Sequence, residues 1–152
     1  MVIPFDRGKS LQQLENADWG EPTYDSHLVR TVHRLRRKPL NEFTVEDLRI
    51  VILQEIGLPF LIPLAVEQLE RNPLVDGDYY EGDLLNAVLH IGEPFWTNHP
   101  DLFRRTCDVV MRVKNMIPTL DDLDRTKFQR LLNESSPAFK HPLLPRQKPL
   151  RR

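Results

Sequence analysis

The sequence predicts an all-α fold: a single compact domain of about six helices with an extended basic C-terminal tail. Three observations lead there. Apolar residues recur three and four positions apart, as in Leu28, Val32 and Leu35 or Val109, Val113 and Met116, which is the stripe of a helix that buries one face. Ser, Thr or Asp stands before several such segments and Gly or Pro after them, the residues that satisfy free N–H groups at a helix start and stop the ladder at its end. The β-branched run at residues 49–56 raises a strand alternative, but its Thr cap, Gly stop and lack of two-residue alternation favour helix.

Length and composition set the outer limits. A chain of 152 residues buries roughly two thirds of its unfolded surface and folds as one domain without staples. With 40% hydrophobic and 28% charged residues it matches neither a disordered chain nor a membrane protein. Lys and Arg number 21 against 22 Asp and Glu, a net charge of -1, so no global field recruits nucleic acid or an anionic membrane. The single cysteine, Cys107, excludes an internal disulfide and a multi-cysteine metal site and fits a reducing compartment. The first ten residues lack the apolar core of a signal peptide, and no apolar run reaches membrane-span length. A cytoplasmic location is expected.

Residues 1–9 read as an extended arm tacked down by Ile3 and Phe5. Ser10 with Gln13 has capping-box spacing and opens a short helix that Gly20 and Pro22 end, with Trp19 and Tyr24 covering a seam. A second helix runs from Asp25 or Ser26 to about Arg37, burying Leu28, Val32 and Leu35. Its Arg30, Arg34 and Arg37 share another face, with Arg36 and Lys38 in the last turn, read as a solvated face that complements the helix dipole. Thr44 caps the most apolar helix, through Leu48, Val51, Ile52 and Ile56, with Gly57 as its C-prime residue. Residues 58–72 form the next, with a break expected near Pro63.

After Asn72-Pro73 comes a loop, residues 75–83, that places Asp76, Asp78, Glu81 and Asp83 beside Tyr79 and Tyr80. Asp83 also stands at an N-cap position before a helix of Leu84, Leu85, Val88 and Leu89, ended by Gly92 and Pro94. Phe95 and Trp96 read as core, His99-Pro100-Asp101 starts a helix to about Met116, and Thr119 and Asp121 begin a last one carrying Leu120, Leu123, Phe128, Leu131 and Leu132. The helical domain is placed at residues 10–135, and the proline-rich basic stretch 136–152 is expected to be a flexible tail.

Few constellations promise chemistry. Asp76-x-Asp78 suggests calcium, but Tyr80, Glu81 and Ala87 stand where an EF-hand needs an oxygen ligand, the turn glycine and the closing glutamate. His99 and Asp101 lack an accompanying nucleophile or oxyanion motif, and His27, His33, His90 and His141 lack metal-ligand spacing. No phosphate-loop, dinucleotide or nucleophile-elbow motif is present. No catalytic residue, cofactor or metal is assigned. The loop remains as a binding surface: carboxylates steer a basic partner, and tyrosines give contact area at low entropic cost.

The runs Asp18-Trp19-Gly20-Glu21-Pro22, His33-Arg34-Leu35-Arg36, Phe43-Thr44-Val45-Glu46-Asp47-Leu48-Arg49 and Gly57-Leu58-Pro59-Phe60-Leu61-Ile62-Pro63 occur in that order. Asn72-Pro73, Gly77-Asp78-Tyr79-Tyr80, Gly82-Asp83-Leu84-Leu85, Phe95-Trp96 and His99-Pro100 follow. Together they resemble the immunity proteins of contact-dependent growth inhibition (CDI) systems over residues 10–102. The resemblance implies a helical, non-enzymatic bacterial antitoxin that binds the cognate C-terminal toxin domain, often a nuclease, one to one.

A nuclease presents a basic cleft, so Asp76, Asp78, Tyr79, Tyr80, Glu81 and Asp83 are the expected partner-binding residues. Shared loop residues can instead build the fold, which leaves Glu93, Asp121 and Asp122 as other carriers of specificity. No nucleic acid or membrane partner is expected. The competing function is a nucleic-acid-binding module that uses the helix at residues 30–38 and the basic tail.

Overall fold

Residues 48–69 carry the longest apolar runs and form the middle of the molecule. The computed structural model describes residues 4–140, which contain eight α-helices, three short 3-10 turns and no β-strand. In chain order the helices are α1 (Leu11–Leu14), α2 (His27–Arg36), α3 (Val45–Leu53), α4 (Leu58–Arg71), α5 (Asp83–Leu89), α6 (Glu93–Asn98), α7 (Pro100–Met116) and α8 (Asp122–Asn133). The all-α expectation holds, with eight helices in place of about six. None is long and apolar enough to cross a membrane.

Helix starts follow the local chemistry. Ser10 and Gln13, like Thr44 and Asp47, form capping boxes in which side chain and backbone satisfy each other. Ser26 and Asp121 cap α2 and α8 with single bonds to Val29 N–H and Asp124 N–H. The segment between α5 and α7, for which no helix was expected, forms α6: Pro94 stands in its first turn, and Trp96 is buried there as expected, its indole N–H donating to Ile91 O at 3.0 Å.

Three expected boundaries move. α3 ends at Leu53, four residues before Gly57, because Glu55 takes the left-handed conformation (φ 56). Ile56 N–H then bonds Val51 O and Glu55 N–H bonds Ile52 O, the pairing of a Schellman cap. Gly57 starts α4 instead, at φ 62, where a Cβ would come within 2.7 Å of the Leu11 side chain. α4 continues through Pro63 unbroken. An interior proline costs about 3 kcal/mol, but Leu61, Ile62, Ala65, Val66 and Leu69 around it are fully buried and hold the helix in place.

α3 packs against α4 and α5, and α4 packs against α7, so α3 and α4 touch most of the core. Leu28, expected on the buried face of α2, is exposed, with Thr31 and Arg36 buried on that helix instead, and the apolar Leu123 of α8 is 85% exposed. Tyr24 is exposed as well and covers no seam. Phe5 does anchor the N-terminal arm, edge-on to Phe60 at 5.2 Å between centroids, while Ile3 lies outside the described residues.

Residues that follow 135 contact the helical core. Pro137–Phe139 form a 3-10 turn, Phe139 is buried against Trp96 and Phe103, and Ser136 N–H donates to Leu89 O. Residues 141–152, the rest of the expected basic tail, lie outside the described residues.

Candidate functional site

The loop between α4 and α5 is fixed from beneath by one carboxylate. Asp83, 2% exposed, accepts hydrogen bonds from the backbone N–H groups of Gly77 (2.6 Å), Tyr79 (3.1 Å) and Tyr80 (3.4 Å). It was expected to cap its own helix and to face a partner. Instead Gly82 occupies the cap position and Asp83 points inward to organise the loop. The reason is geometric: three loop N–H groups converge there with no other partner, and a buried carboxylate satisfies them all.

A second support comes from α3. Glu46 Oε1 accepts from Asp78 N–H at 3.1 Å, and both Glu46 oxygens bond Arg49, at 2.6 and 2.7 Å. Arg49 Nε also lies 3.8 Å from Asp83, and its guanidinium sits under the Tyr79 ring, 4.3 Å from the centroid. The hydrogen bonds to Arg49 hold the Glu46 carboxyl below its usual range, against the opposing pull of burial, and they raise Arg49 in turn. Gly77 is required here by close approach: a Cβ would meet Glu46 Oε1 at 2.6 Å and Asp83 Oδ2 at 3.0 Å. An isolated antiparallel bridge between Asp76 and Glu81 closes the loop.

What the loop shows to solvent is Asp76, Asp78 and Glu81, with Tyr79 71% exposed and Tyr80 41% exposed. Asp76 and Asp78 line a cleft of about 400 Å3 whose other wall is the start of α3, where Glu46 and Asp47 stand. Asp47 bonds Lys38 at 2.6 Å and Thr44 N–H at 3.0 Å. Burial pushes its carboxyl up, but those bonds outweigh burial and leave it lowered. The cleft therefore holds four carboxylates of which two, Glu46 and Asp47, have a cationic partner. Five of the six expected site residues are exposed, Tyr79 over Arg49 and Tyr80 over Lys127, and the sixth, Asp83, is turned inward.

Sequence reading missed Glu46 and Arg49. Their i, i+3 spacing signals a helix-surface ion pair, but not that the pair reaches a loop 32 residues away.

The competing basic stripe is largely occupied within the molecule. Arg30 pairs with Asp25, Arg37 with Glu21 at 3.3 Å, and Lys38 with Asp47. Arg36 is buried, bonding Glu15 at 2.8 Å and Ala17 O at 3.0 Å beneath the Trp19 ring. His99 is oriented by the backbone, with Nδ1 donating to Phe95 O at 2.8 Å and the ring stacked on Phe95. Among the described residues no three His, Cys, Asp or Glu side chains are grouped as metal ligands.

A family model described as CDI immunity proteins matches residues 13–106. The chain belongs to that family. No curated protein and no solved structure matches it. Membership carries a toxin-neutralising immunity role, and the family's proteins are generally non-enzymatic. The matched stretch of this CDI immunity protein includes α2 to α6, the whole loop and its supports Glu46, Arg49 and Asp83, and it ends within α7.

Proposed function

We propose that this CDI immunity protein binds the cognate C-terminal toxin domain of its own system one to one, in the cytoplasm, and blocks it through the exposed face of the 75–83 loop. The toxin on this reading is a nuclease, whose nucleic-acid cleft is basic. The observation that carries the proposal is the rigid display of Asp76, Asp78 and Glu81 beside Tyr79 on a loop tied down by Asp83 and Glu46. A preformed surface loses little entropy on binding, and carboxylates aligned on it steer a cationic partner and set its orientation. The chain acts by occupancy and turns nothing over.

The test uses the cognate toxin domain, to be sought in the gene upstream of this chain's own. Isothermal titration calorimetry is expected to give a one-to-one complex with the native chain and to lose binding with the Asp76→Lys, Asp78→Lys double variant, whose circular dichroism stays native. Unchanged affinity moves the interface elsewhere. For the nucleic-acid-binding alternative, a steep fall of RNA affinity with salt is the signature, and no RNA binding is expected.

A further inference from the structure

Tyr79 and Tyr80 leave the loop on opposite sides. Tyr79 lies over Arg49 on the α3 side, whereas the Tyr80 hydroxyl accepts from Asn86 Nδ2 at 3.0 Å and its ring faces Lys127 Nζ of α8 at 5.3 Å. Behind Tyr80, between α5 and α8, is a pocket of about 270 Å3 lined by Tyr80, Asn86, Lys127, Arg130, Leu131 and Glu134. Its character is the reverse of the α3 cleft. No ion pair joins Lys127 or Arg130 to a carboxylate among the described residues; Lys127 has only the Tyr80 and Phe128 rings near its ammonium. Because the Tyr80 oxygen already accepts from Asn86, its own hydrogen remains to be donated. Two cations and a hydroxyl donor thus surround a space that contains one carboxylate, Glu134.

We propose that this pocket takes a carboxylate side chain of the toxin, so that the partner meets alternating charge: its cations enter the α3 cleft, the two tyrosines form a central ridge, and its carboxylate enters between Tyr80, Lys127 and Arg130. The inference rests on the toxin-binding reading and adds a second, oppositely charged contact to it. A guanidinium, an ammonium and a hydroxyl on the wall of one pocket can serve the two oxygens of a carboxylate. The volume is below the usual range for drug-sized ligands and suits a single side chain. A nucleic-acid phosphate has similar acceptor chemistry, and the RNA arm of the experiment below separates it from a protein carboxylate. The arrangement also selects among toxins, since one lacking an acid at that point leaves Lys127 and Arg130 desolvated and unpaired.

The experiment compares three chains by calorimetry against the same cognate toxin domain: native, the Lys127→Glu, Arg130→Glu double variant, and the Asp76→Lys, Asp78→Lys double variant. Circular dichroism and thermal unfolding check the fold, and Lys127→Gln with Arg130→Gln serves as the milder pair. The expected result is a loss of about tenfold or more in affinity for the α8 reversal, with a smaller loss for the glutamine pair. Unchanged or tighter binding by the α8 reversal overturns the pocket, while the loop reading stands or falls on the Asp76, Asp78 variant alone. A loss confined to the α8 reversal keeps the pocket and removes the acidic-loop reading. RNA binding by the native chain that the α8 reversal abolishes, with toxin affinity unaffected, overturns the proposal in favour of a phosphate site.

Discussion

The carboxylate of Asp83 and the backbone N–H of Gly77 are 2.6 Å apart, although Asp83 is the first residue of α5 and Gly77 lies at the far end of the loop. That bond, with those to Tyr79 and Tyr80, makes the loop a fixed surface. Asp83→Asn keeps one acceptor oxygen but puts an NH2 group against a backbone donor, so at least one buried N–H loses its partner. The expected cost is about 1–3 kcal/mol, seen as a lower urea midpoint and faster amide exchange at residues 77–80. An unchanged midpoint would show that the loop holds without Asp83.

Acid weakens the same region through Glu46 and Asp47. Arg49 holds the Glu46 carboxyl below its ordinary 4.5. For Asp47, burial pushes upward, yet the Lys38 and Thr44 bonds leave it below its ordinary 3.8. As the unfolded chain is acidified it takes up protons at the ordinary values, before the folded chain does, so stability rises with pH across that interval. Urea midpoints are expected to keep this contribution above about pH 4.5 and to lose it progressively as pH falls through the lowered folded values. Glu46→Gln should flatten the part of that slope due to Glu46. Glu67 with Arg7 and Glu70 with Arg105 shift in the same direction, but these pairs are more exposed and solvent screens them.

Helix starts were legible in the sequence because capping is local: Ser10 with Gln13, Thr44 with Asp47, and Asp121 all act within three residues of themselves. The apolar stripes were legible for the same reason, and they put Val32, Leu35, Val109 and Val113 inside as expected. What sequence could not supply was the choice among equally eligible partners far along the chain. Asp76, Asp78, Glu81 and Asp83 look alike in composition, and only the fold of α3 and α5 around the loop turns Asp83 inward. Leu28 and Arg36 exchanged their expected places because burying Arg36 ties down the loop at Glu15, Ala17 and Trp19.

Glu55 carries strain that a single substitution relieves. It occupies φ 56 at the C-terminus of α3, is exposed, and bonds there only through its backbone. A non-glycine residue in the left-handed region costs roughly 1–2 kcal/mol, and glycine recovers part of that while giving some back as unfolded-chain entropy. Glu55→Gly is therefore expected to stabilise the chain by about 0.5–1 kcal/mol, which for a chain of this length raises Tm by about 2 °C. A lower Tm would mean that the cap needs the side chain.

Phe139 belongs to the buried core. Its ring stands edge-on to Trp96, 5.1 Å between centroids, and tilted on Phe103 at 5.3 Å, and it is buried although it follows Ser136 and Pro137, which read as tail. Removing a buried aromatic side chain typically costs about 3–5 kcal/mol. Phe139→Ala is expected near the lower figure, because the site lies at the edge of the core and can partly collapse. Trp96 fluorescence should shift to the red, while Trp19, held on Arg36, keeps its emission. A chain stopped after Ser135 should lose at least as much, since it also gives up the Ser136 bond to Leu89, whereas one stopped after Lys140 retains both contacts. Equal stability of the two truncations would place residues 136–140 outside the cooperative unit, and the aromatic contact would then be a consequence of folding rather than a part of what drives it.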